Sequence, residues 1–413
     1  MAILNRREVA SWCLYDFANS TYSAVIAAVV FPVFYTTHIV GNEHGLGDLW
    51  WGRAVSLSMV TVALSSPLLG GLADFAGLRK RFLLAFTVLC ISCVAAFRVL
   101  EPGMVLAGFV LMVLANIGLE GGVVFYNSFL PAIAPRRYQG RVSSWGFGVG
   151  YAGSMISLVL AIPLAGRGLF AEVWLMVAGM FALFSLPAFL FLPPDEKKAS
   201  LTGSALRGFR HTGRTLKGVL RNREAAKFLA AYLLYADGVS TVIVFSSVFA
   251  ATTLGFETGE LIGLYLVVQA TALVGAFVMA RPMDYWGPKK VLTGSLLLWT
   301  AVCALAFFAA GKAFFMGVAA VAGLGLGTVQ ASSRAFYAQF IPEGNQSEYF
   351  GVYSMAGKSS AVLGPLLFGH LSVTMGSQRP AILAIALFFL VGFTLVQFIR
   401  GGGSNVGEGQ AAP

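Results

Sequence analysis

Charged side chains are scarce in this sequence. Only 11% of its 413 residues are Asp, Glu, Lys or Arg, whereas soluble domains carry about 25%. Hydrophobic residues make up 57% of the chain, which excludes a soluble globular protein. Cysteine is rare as well, and all four copies fall inside apolar stretches, at Cys13, Cys90, Cys93 and Cys303. Cys90 and Cys93 share one helical face, but no histidine or second cysteine pair accompanies them, so helix packing is favoured over a redox or metal site.

Sequence signatures of an enzyme are also missing. We find no phosphate-binding loop, no cluster with metal-ligand spacing and no nucleophile triad in the hydrophilic segments. The sequence therefore predicts no enzymatic activity, no cofactor and no metal. The absence of a phosphate-binding loop also argues against transport driven by ATP, unless a separate subunit supplies the ATPase.

Long apolar stretches take up most of the chain. A helix needs roughly 20 mostly apolar residues to cross a membrane. About twelve such stretches are present, and they begin near Trp12, Trp51, Phe82, Met104, Gly140, Ala171, Lys227, Thr258, Val291, Ala313, Tyr349 and Pro380. The first stretch is too long for the core of a cleaved signal peptide. The pattern predicts an all-α integral membrane protein with twelve transmembrane helices.

A charged turn occurs twice, about 210 residues apart, each time at the end of an apolar stretch. In both copies an acidic residue is followed three residues later by a glycine and then by a basic pair. The first copy comprises Gly70, Asp74, Gly77, Arg79 and Lys80, and the second comprises Asp284, Gly287, Lys289 and Lys290. The second copy has Ala280 where the first has Gly70. The recurrence predicts a duplication into two six-helix, pseudo-symmetric halves, and we expect the turns to act as a conformational latch.

A basic segment separates the two halves. We predict an N-terminal six-helix bundle at 1–192, a basic cytoplasmic linker at 193–225, a C-terminal six-helix bundle at 226–400 and a disordered cytoplasmic tail at 401–413. Within the linker, apolar residues recur at helical spacing between arginines and lysines, which is typical of an amphipathic helix on an anionic membrane surface. A solvated tether between the halves is the alternative, because glycines interrupt the pattern.

The positive charge is distributed unevenly across the predicted membrane. If the N-terminus is cytoplasmic and the stretches alternate, most of the 28 lysines and arginines fall in cytoplasmic segments. The outer segments contain Arg53, Arg98, Arg167, Lys312 and Arg379. This asymmetry follows the positive-inside rule. We therefore predict that both termini are cytoplasmic and that the net charge of +10 reflects topology, not nucleic-acid binding.

Several longer motifs resemble a known family. They are Trp12-Cys-Leu-Tyr-Asp-Phe-Ala-Asn-Ser20, Phe129-Leu-Pro-Ala-Ile-Ala-Pro135 followed by Gly140-Arg-Val-Ser143, Gln330-Ala-Ser-Ser-Arg334, and Phe350-Gly-Val-Tyr353 followed by Gly357-Lys-Ser-Ser-Ala-Val-Leu-Gly-Pro365. Together with the charged turns they resemble the vacuole effluxer-like branch of the major facilitator superfamily, over nearly the whole chain. The resemblance implies the major facilitator fold, with a midplane substrate site lined by helices one, four, seven and ten. It also implies export of amino acids, the activity associated with fungal relatives.

Ionisable side chains inside the apolar stretches are candidates for function, because a charge in hydrocarbon is costly. They are Asp16, Glu120, Asp237, Arg334 and Lys358. We expect Glu120 to carry a proton and Arg334 to hold an anionic group of the substrate. If the two pair when the site is empty, substrate and proton would compete for that bridge. The alternative is that these charges pair only to hold the helices together. Further polar or aromatic candidates for lining the site are Asn19, Tyr126, Asn127 and Gln330.

The sequence thus predicts a secondary active transporter that moves a small polar solute, such as an amino acid, by alternating access. We expect efflux and proton coupling, with the small-molecule substrate, membrane lipid and protons as partners. The expected location is a bacterial inner membrane, and the expected state is a monomer. Two alternatives stay open: a lipid or amphiphile flippase of the same fold, and a membrane receptor or regulator that does not transport.

Overall fold

The computed structural model describes residues 4–41, 46–196, 218–219, 221–360 and 363–400. The principal helices in this part of the chain are α1 (Arg6–Val40), α2 (Leu46–Ala76), α3 (Arg79–Val99), α4 (Val105–Ile133), α5 (Arg136–Gly166), α6 (Phe170–Phe191), α7 (Arg223–Leu254), α8 (Thr258–Ala280), α9 (Pro282–Phe307), α10 (Lys312–Ala338), α11 (Gln346–Ser360), α12 (Leu363–Thr374) and α13 (Arg379–Gln397). The predicted linker lies largely outside the described residues, and the predicted tail lies entirely outside them.

Most of these helices are long enough to cross a membrane. Among the described residues, 11 helices meet the length and hydropathy expected of a membrane span, namely α1 to α10 and α13. The predicted stretch beginning near Tyr349 corresponds to two shorter helices, α11 and α12, on either side of residues 361–362. The prediction of a helical membrane protein is confirmed, whereas the count of twelve crossings stays a prediction.

The first helix of each predicted half, α1 or α7, is capped at its N-terminus by an asparagine side chain. The Asn5 side chain accepts a hydrogen bond from the backbone N–H of Arg7 at the start of α1. The Asn222 side chain accepts one from the backbone N–H of Ala225 at the start of α7. A side-chain oxygen at this position satisfies an N–H group that has no partner within the helix. The first helix of each predicted half therefore begins with the same device.

Both charged turns contain a glycine in a left-handed conformation. Gly77 has φ of 68° between α2 and α3, and Gly287 has φ of 79°. Gly287 interrupts the helical path near the start of α9, between Pro282 and Val291. Glycine adopts positive φ without the steric penalty of other residues. The repeat therefore reflects the same backbone turn built twice.

Internal contacts divide the chain into two units. One unit comprises residues 1–135, 145–213 and 344–358, and the other comprises 136–144, 214–343 and 359–413. The first part of α5 thus packs with helices of the C-terminal half, and most of α11 packs with helices of the N-terminal half. Apart from these two segments, the helices before residue 192 fall in the first unit and those after residue 226 fall in the second. The domain boundaries themselves stay a prediction.

Candidate functional site

The first charged turn holds the beginning of α11. One oxygen of the Asp74 carboxylate lies 2.8 Å from Nε of Arg79, and the other accepts a hydrogen bond of 2.9 Å from the backbone N–H of Glu348. Arg79 also donates to the side-chain carbonyl of Gln346, the first residue of α11. A carboxylate is stabilised at a helix N-terminus, where backbone N–H groups and the positive end of the helix dipole meet. Asp74 is suited to this role, because its side chain is only 4% exposed.

Close packing of α2 against α11 reinforces this contact. A Cβ atom added at Gly70 would lie 2.3 Å from the backbone oxygen of Ser347. One added at Gly351 would lie 2.5 Å from the backbone oxygen of Ser66. Neither distance is compatible with a methyl group unless the helices separate. Gly70, which the sequence placed in the charged turn, therefore lets the two backbones meet beside Asp74.

The second charged turn makes the corresponding contact with the beginning of α5. Asp284 forms an ion pair with Arg141, and the Asp284 side chain is 2% exposed. Gly140, the residue before Arg141, packs against Met283, since an added Cβ would lie 2.6 Å from the Cβ of Met283. The first turn binds a backbone N–H of its partner helix, whereas the second binds a side chain. In α11 the residue that corresponds to Arg141 is Val352, because each lies three residues after a tyrosine near the start of its helix. Val352 is uncharged and cannot form an ion pair.

The partners of the two charged turns were not predicted from the sequence. Near its start, each partner helix has a tyrosine followed two residues later by a glycine, Tyr138 with Gly140 and Tyr349 with Gly351. These pairs are also about 210 residues apart, as the charged turns are. Comparing the two halves for this shorter motif would have indicated that α5 and α11 occupy equivalent places.

The basic residues of the turns bind the ends of other helices. Lys80 donates from Nζ to the backbone oxygen of Leu192, 2.7 Å away, just after α6. Lys289 donates from Nζ to the backbone oxygen of Ile399, also 2.7 Å away, just after α13. A cation is stabilised by the free carbonyl groups at a helix C-terminus. Lys290 is exposed, so only one lysine of the second pair has this role.

Asp195 caps the helix that follows the first charged turn, and this contact was not predicted. Its two carboxylate oxygens accept hydrogen bonds of 2.7 and 3.0 Å from the backbone N–H groups of Lys80 and Arg81. These groups belong to the first turn of α3, so Asp195 caps that helix. The residue follows Pro193 and Pro194, and no local pattern indicates a partner more than a hundred positions earlier.

Glu120 and Lys358 form an ion pair within the first unit. Nζ of Lys358 lies 2.6 Å from Oε1 of Glu120, and the two side chains are 26% and 16% exposed. The sequence left open whether Glu120 and Arg334 pair when the site is empty, and the roles expected of these two residues stay predictions. The Arg334 guanidinium donates from Nε to Oγ of Ser143 at 2.9 Å and from Nη2 to the Ser143 carbonyl at 2.8 Å. Lys358 can reach Glu120 because most of α11, up to Lys358, packs with the N-terminal helices.

A group of polar side chains from α1, α2 and α4 includes Asn116, which lies on the same helix as Glu120. Asn116, one helical turn before Glu120, donates to Oγ of Ser58 over 2.8 Å and accepts from the hydroxyl of Tyr22 over 3.4 Å. Tyr22 is also close enough to Glu120 to interact with its charge. Opposite charges beside hydroxyl and amide groups can bind the ammonium and carboxylate of a small zwitterion.

The remaining predicted site residues occupy separate places. Asp16 accepts a hydrogen bond from Asn19 over 3.3 Å, and both side chains are buried. Tyr126 is buried, and its ring stacks on Trp12 with centroids 4.5 Å apart. Asn127 is buried and Gln330 is partly exposed. Asp237, on α7, is buried beside the start of α12. Contact of these residues with a substrate stays a prediction.

Comparisons with known proteins agree with this architecture. The chain is 27% identical over 402 residues to the protein named "Uncharacterized MFS-type transporter YxiO" of Bacillus subtilis, covering 94% of both chains. It is 22% identical to autophagy-related protein 22-1 of Penicillium rubens, covering 83% of this chain and 74% of the relative.

Solved structures of major facilitator superfamily (MFS) transporters share the fold. The human organic anion transporter MFSD10 aligns with a TM-score of 0.79 and 16% identity, covering 96% of this chain and 100% of that one. The transporter FucP in its outward conformation, a fucose:proton symporter of E. coli, aligns with a TM-score of 0.72 and 14% identity, with the same coverage.

The fold and the relatives are those of MFS transporters, which are not enzymes. Transporters of this kind bind small-molecule substrates and are integral to a membrane, in agreement with the apolar helices of this chain. Residues 53–401 match the family model described as "Vacuole effluxer Atg22 like". The chain is therefore an MFS-type transporter and belongs to the vacuole effluxer Atg22-like family.

Proposed function

We propose that this chain is a secondary active transporter that exports a small zwitterionic solute of the amino-acid type by alternating access. The Glu120–Lys358 ion pair is the observation that carries the proposal. Ionisable residues at membrane depth are costly and mark pathways for substrates or ions. This pair offers one positive and one negative group 2.6 Å apart. The ammonium of an amino acid can take the place of Lys358 beside Glu120, and its carboxylate can take the place of Glu120 beside Lys358.

The contacts of α11 suggest how binding leads to movement. Its first turn is held by Asp74 and Arg79, and Lys358 near its end is held by Glu120. A substrate that replaces the second contact frees the end of α11 while the charged turn still holds its beginning. Release of the charged turn then completes the change of state. A ligand shifts a conformational equilibrium only through such a difference in contacts between states.

We further propose twelve membrane crossings in two six-helix halves, with α11 and α12 together forming one crossing. An even number places both termini on the same side, and the basic segments support the cytoplasmic side of a bacterial inner membrane. The proposal includes a monomer in contact with membrane lipid, and coupling to protons. The family description of a vacuole effluxer supports export, and the proton symport of FucP supports proton coupling on this fold.

Transport by the purified protein in proteoliposomes tests the proposal. Vesicles are loaded with a mixture of radiolabelled amino acids, a pH gradient is imposed in either direction, and loss of label is followed. We expect efflux that is faster with one direction of the gradient, and a double Glu120→Gln/Lys358→Gln variant that is inactive.

Two results would overturn the proposal. If amino acids raise the melting temperature of the protein but are not transported, the alternative of a receptor that does not transport is favoured. Translocation of a fluorescent phospholipid without amino-acid flux would favour the flippase.

A further inference from the structure

Asp237 is a buried carboxyl group that meets the backbone N–H groups of Gly364 and Leu363 at the start of α12. Its exposed fraction is 1%, and it lies in α7, a predicted membrane span. Oδ2 accepts a hydrogen bond of 2.8 Å from the backbone N–H of Gly364. Oδ1 is buried and has no hydrogen-bond partner among the described residues. A buried ionised oxygen without a partner costs several kcal/mol, so this side chain calls for a cation or a proton at Oδ1.

Asp237 lies beside the first turn of α12. Gly364 is the second residue of that helix. A Cβ atom added there would lie 2.0 Å from Oγ1 of Thr241 and 2.9 Å from Oδ1 of Asp237. Only glycine therefore lets the α12 backbone come close enough to donate to Oδ2. Pro365 follows and has no N–H group, which leaves fewer donors in this turn to be satisfied.

Among the described residues of the helices around α7, no side chain forms an ion pair with Asp237. Helices α8, α10, α12 and α13 pack against α7. Their charged or titratable residues are Glu260 and Tyr265 on α8, Lys312, Arg334 and Tyr337 on α10, His370 on α12 and Arg379 on α13, and those of α7 itself are Arg223, Glu224, Lys227, Tyr232 and Tyr235. Of these described residues, none forms an ion pair with Asp237. Lys312 pairs with Glu260, and Arg379 donates to the backbone oxygen of Ala309.

Glu120 provides the contrast. Its carboxylate already has the Lys358 ammonium at 2.6 Å. A proton on Glu120 would break that ion pair and leave Lys358 partly buried without a partner. A proton on Asp237 would instead neutralise a charge that has no ion-pair partner among the described residues. Of Glu120 and Asp237, Asp237 is therefore the carboxyl group whose surroundings suit the uptake and release of a proton.

We propose that Asp237 binds the coupling proton at Oδ1, and that the proton controls how firmly α12 is held. The ionised carboxylate makes a charge-assisted hydrogen bond to Gly364 at the positive end of α12. Protonation neutralises the carboxyl group and weakens this bond, so that α12 is released more easily. This inference rests on the proposed proton coupling and assigns that coupling to a residue and a helix.

Infrared spectroscopy of the purified protein tests the assignment without a known substrate. A protonated carboxylic acid has a carbonyl stretch distinct from the bands of an ionised carboxylate. We expect a protonated-acid band near neutral pH that is absent from Asp237→Asn and still present in the matched controls Glu120→Gln and Asp16→Asn. Asp237→Glu keeps a carboxyl group in a shifted position, so its band should move. The assignment is overturned if neither Asp237 variant changes this region of the spectrum. If Asp237→Asn does not fold, the band position in Asp237→Glu alone tests the assignment.

Flux measurements separate this inference from the proposed function. With radiolabelled amino acids in proteoliposomes, Asp237→Asn should exchange label across the membrane as the wild type does but lose at least about ten-fold of its response to a pH gradient. An undiminished response in Asp237→Asn would overturn the inference while leaving the transporter intact. A wild type with the infrared band but no flux would overturn the proposed function alone.

Discussion

The backbone N–H of Glu348 donates a hydrogen bond to the carboxylate of Asp74 over 2.9 Å. This bond joins the end of α2 to the first turn of α11, at the place where that helix has unsatisfied N–H groups. Arg79, 2.8 Å from the other oxygen, balances the charge. A negative group at a partly buried helix N-terminus contributes about 1–2 kcal/mol. That amount is enough to shift the population of a state in which the contact is formed by about ten-fold.

Replacing Asp74 by Asn should slow transport while leaving substrate binding nearly intact. The amide keeps an oxygen for the Glu348 N–H but loses the negative charge. We expect the initial rate of amino-acid efflux from proteoliposomes to fall roughly 5- to 30-fold, because the state with the contact formed loses about 1–2 kcal/mol of stabilisation. Affinity, measured by equilibrium binding of label, should change only a few-fold, because it falls only with the fraction of competent protein.

Asp195→Asn is the matched control for this variant. Asp195 also accepts backbone hydrogen bonds, but at the start of α3 and not of α11. Its replacement should lower the melting temperature without the same loss of rate. A collapse of affinity together with rate in Asp74→Asn, or an equal loss of rate in Asp195→Asn, would contradict a specific role for Asp74 in switching.

Gly70→Ala should destabilise the packing of α2 against α11. The new Cβ would lie 2.3 Å from the Ser347 carbonyl oxygen, and overpacking of this kind costs about 1–3 kcal/mol. Gly179→Ala in α6 is the matched control, because nothing lies within 4 Å of a Cβ at that position. Alanine favours a helix over glycine by about 1 kcal/mol. The melting temperature should therefore fall for Gly70→Ala and rise for Gly179→Ala, and a shift of equal sign in both would disprove the close packing.

The ion pair of the second charged turn should behave as a coupled unit. Arg141→Gln leaves the buried Asp284 carboxylate without its charged partner, and breaking a buried ion pair costs about 3–5 kcal/mol. Adding Asp284→Asn removes the stranded charge, so the double variant should melt at a higher temperature than Arg141→Gln alone. Thermal unfolding of the two single variants and the double variant measures this coupling. Strictly additive shifts would show that the pair does not contribute.

The sequence predicted those features that depend on local pattern. The apolar stretches predicted the helices, because length and hydropathy decide whether a segment can cross a membrane. The repeated acid and glycine predicted two equivalent turns, and Gly77 and Gly287 do adopt the same left-handed conformation. The acids at Asp74 and Asp284 were assigned to those turns from spacing alone.

Long-range partners could not be predicted in the same way. Glu120 was considered together with Arg334 because both lie on helices that line the site in the resembled fold. Its partner is Lys358, since the segment 344–358 packs with helices from the other half of the sequence. Asp195 was not predicted because its hydrogen-bond donors are backbone N–H groups of α3. A pattern of side chains does not reveal such donors. Pairings of this kind depend on tertiary packing and not on periodicity.

Neutralising either member of the Glu120–Lys358 pair should change which ligands bind, in opposite ways. If the substrate is an amino acid, Lys358 binds its carboxylate and Glu120 binds its ammonium. Lys358→Gln should then lose preference for amino acids over amines without a carboxylate. Glu120→Gln should lose preference for amino acids over carboxylates without an amine. Ligand-induced shifts of the melting temperature report these preferences, since binding stabilises the folded state in proportion to the logarithm of ligand concentration over its dissociation constant.

The control for this experiment is Lys312→Gln, which breaks an ion pair of similar length, 2.7 Å, between two more exposed side chains. Exposed pairs contribute about 0–1 kcal/mol, so its ligand preferences should equal those of the wild type. We expect each site variant to lose at least about ten-fold in affinity for amino acids, because a charge-assisted hydrogen bond is worth about 1.5–3 kcal/mol. Wild-type preferences in both Lys358→Gln and Glu120→Gln would show that the ion pair holds α11 without touching the substrate, and the search for the binding site would then move to the polar residues of α1.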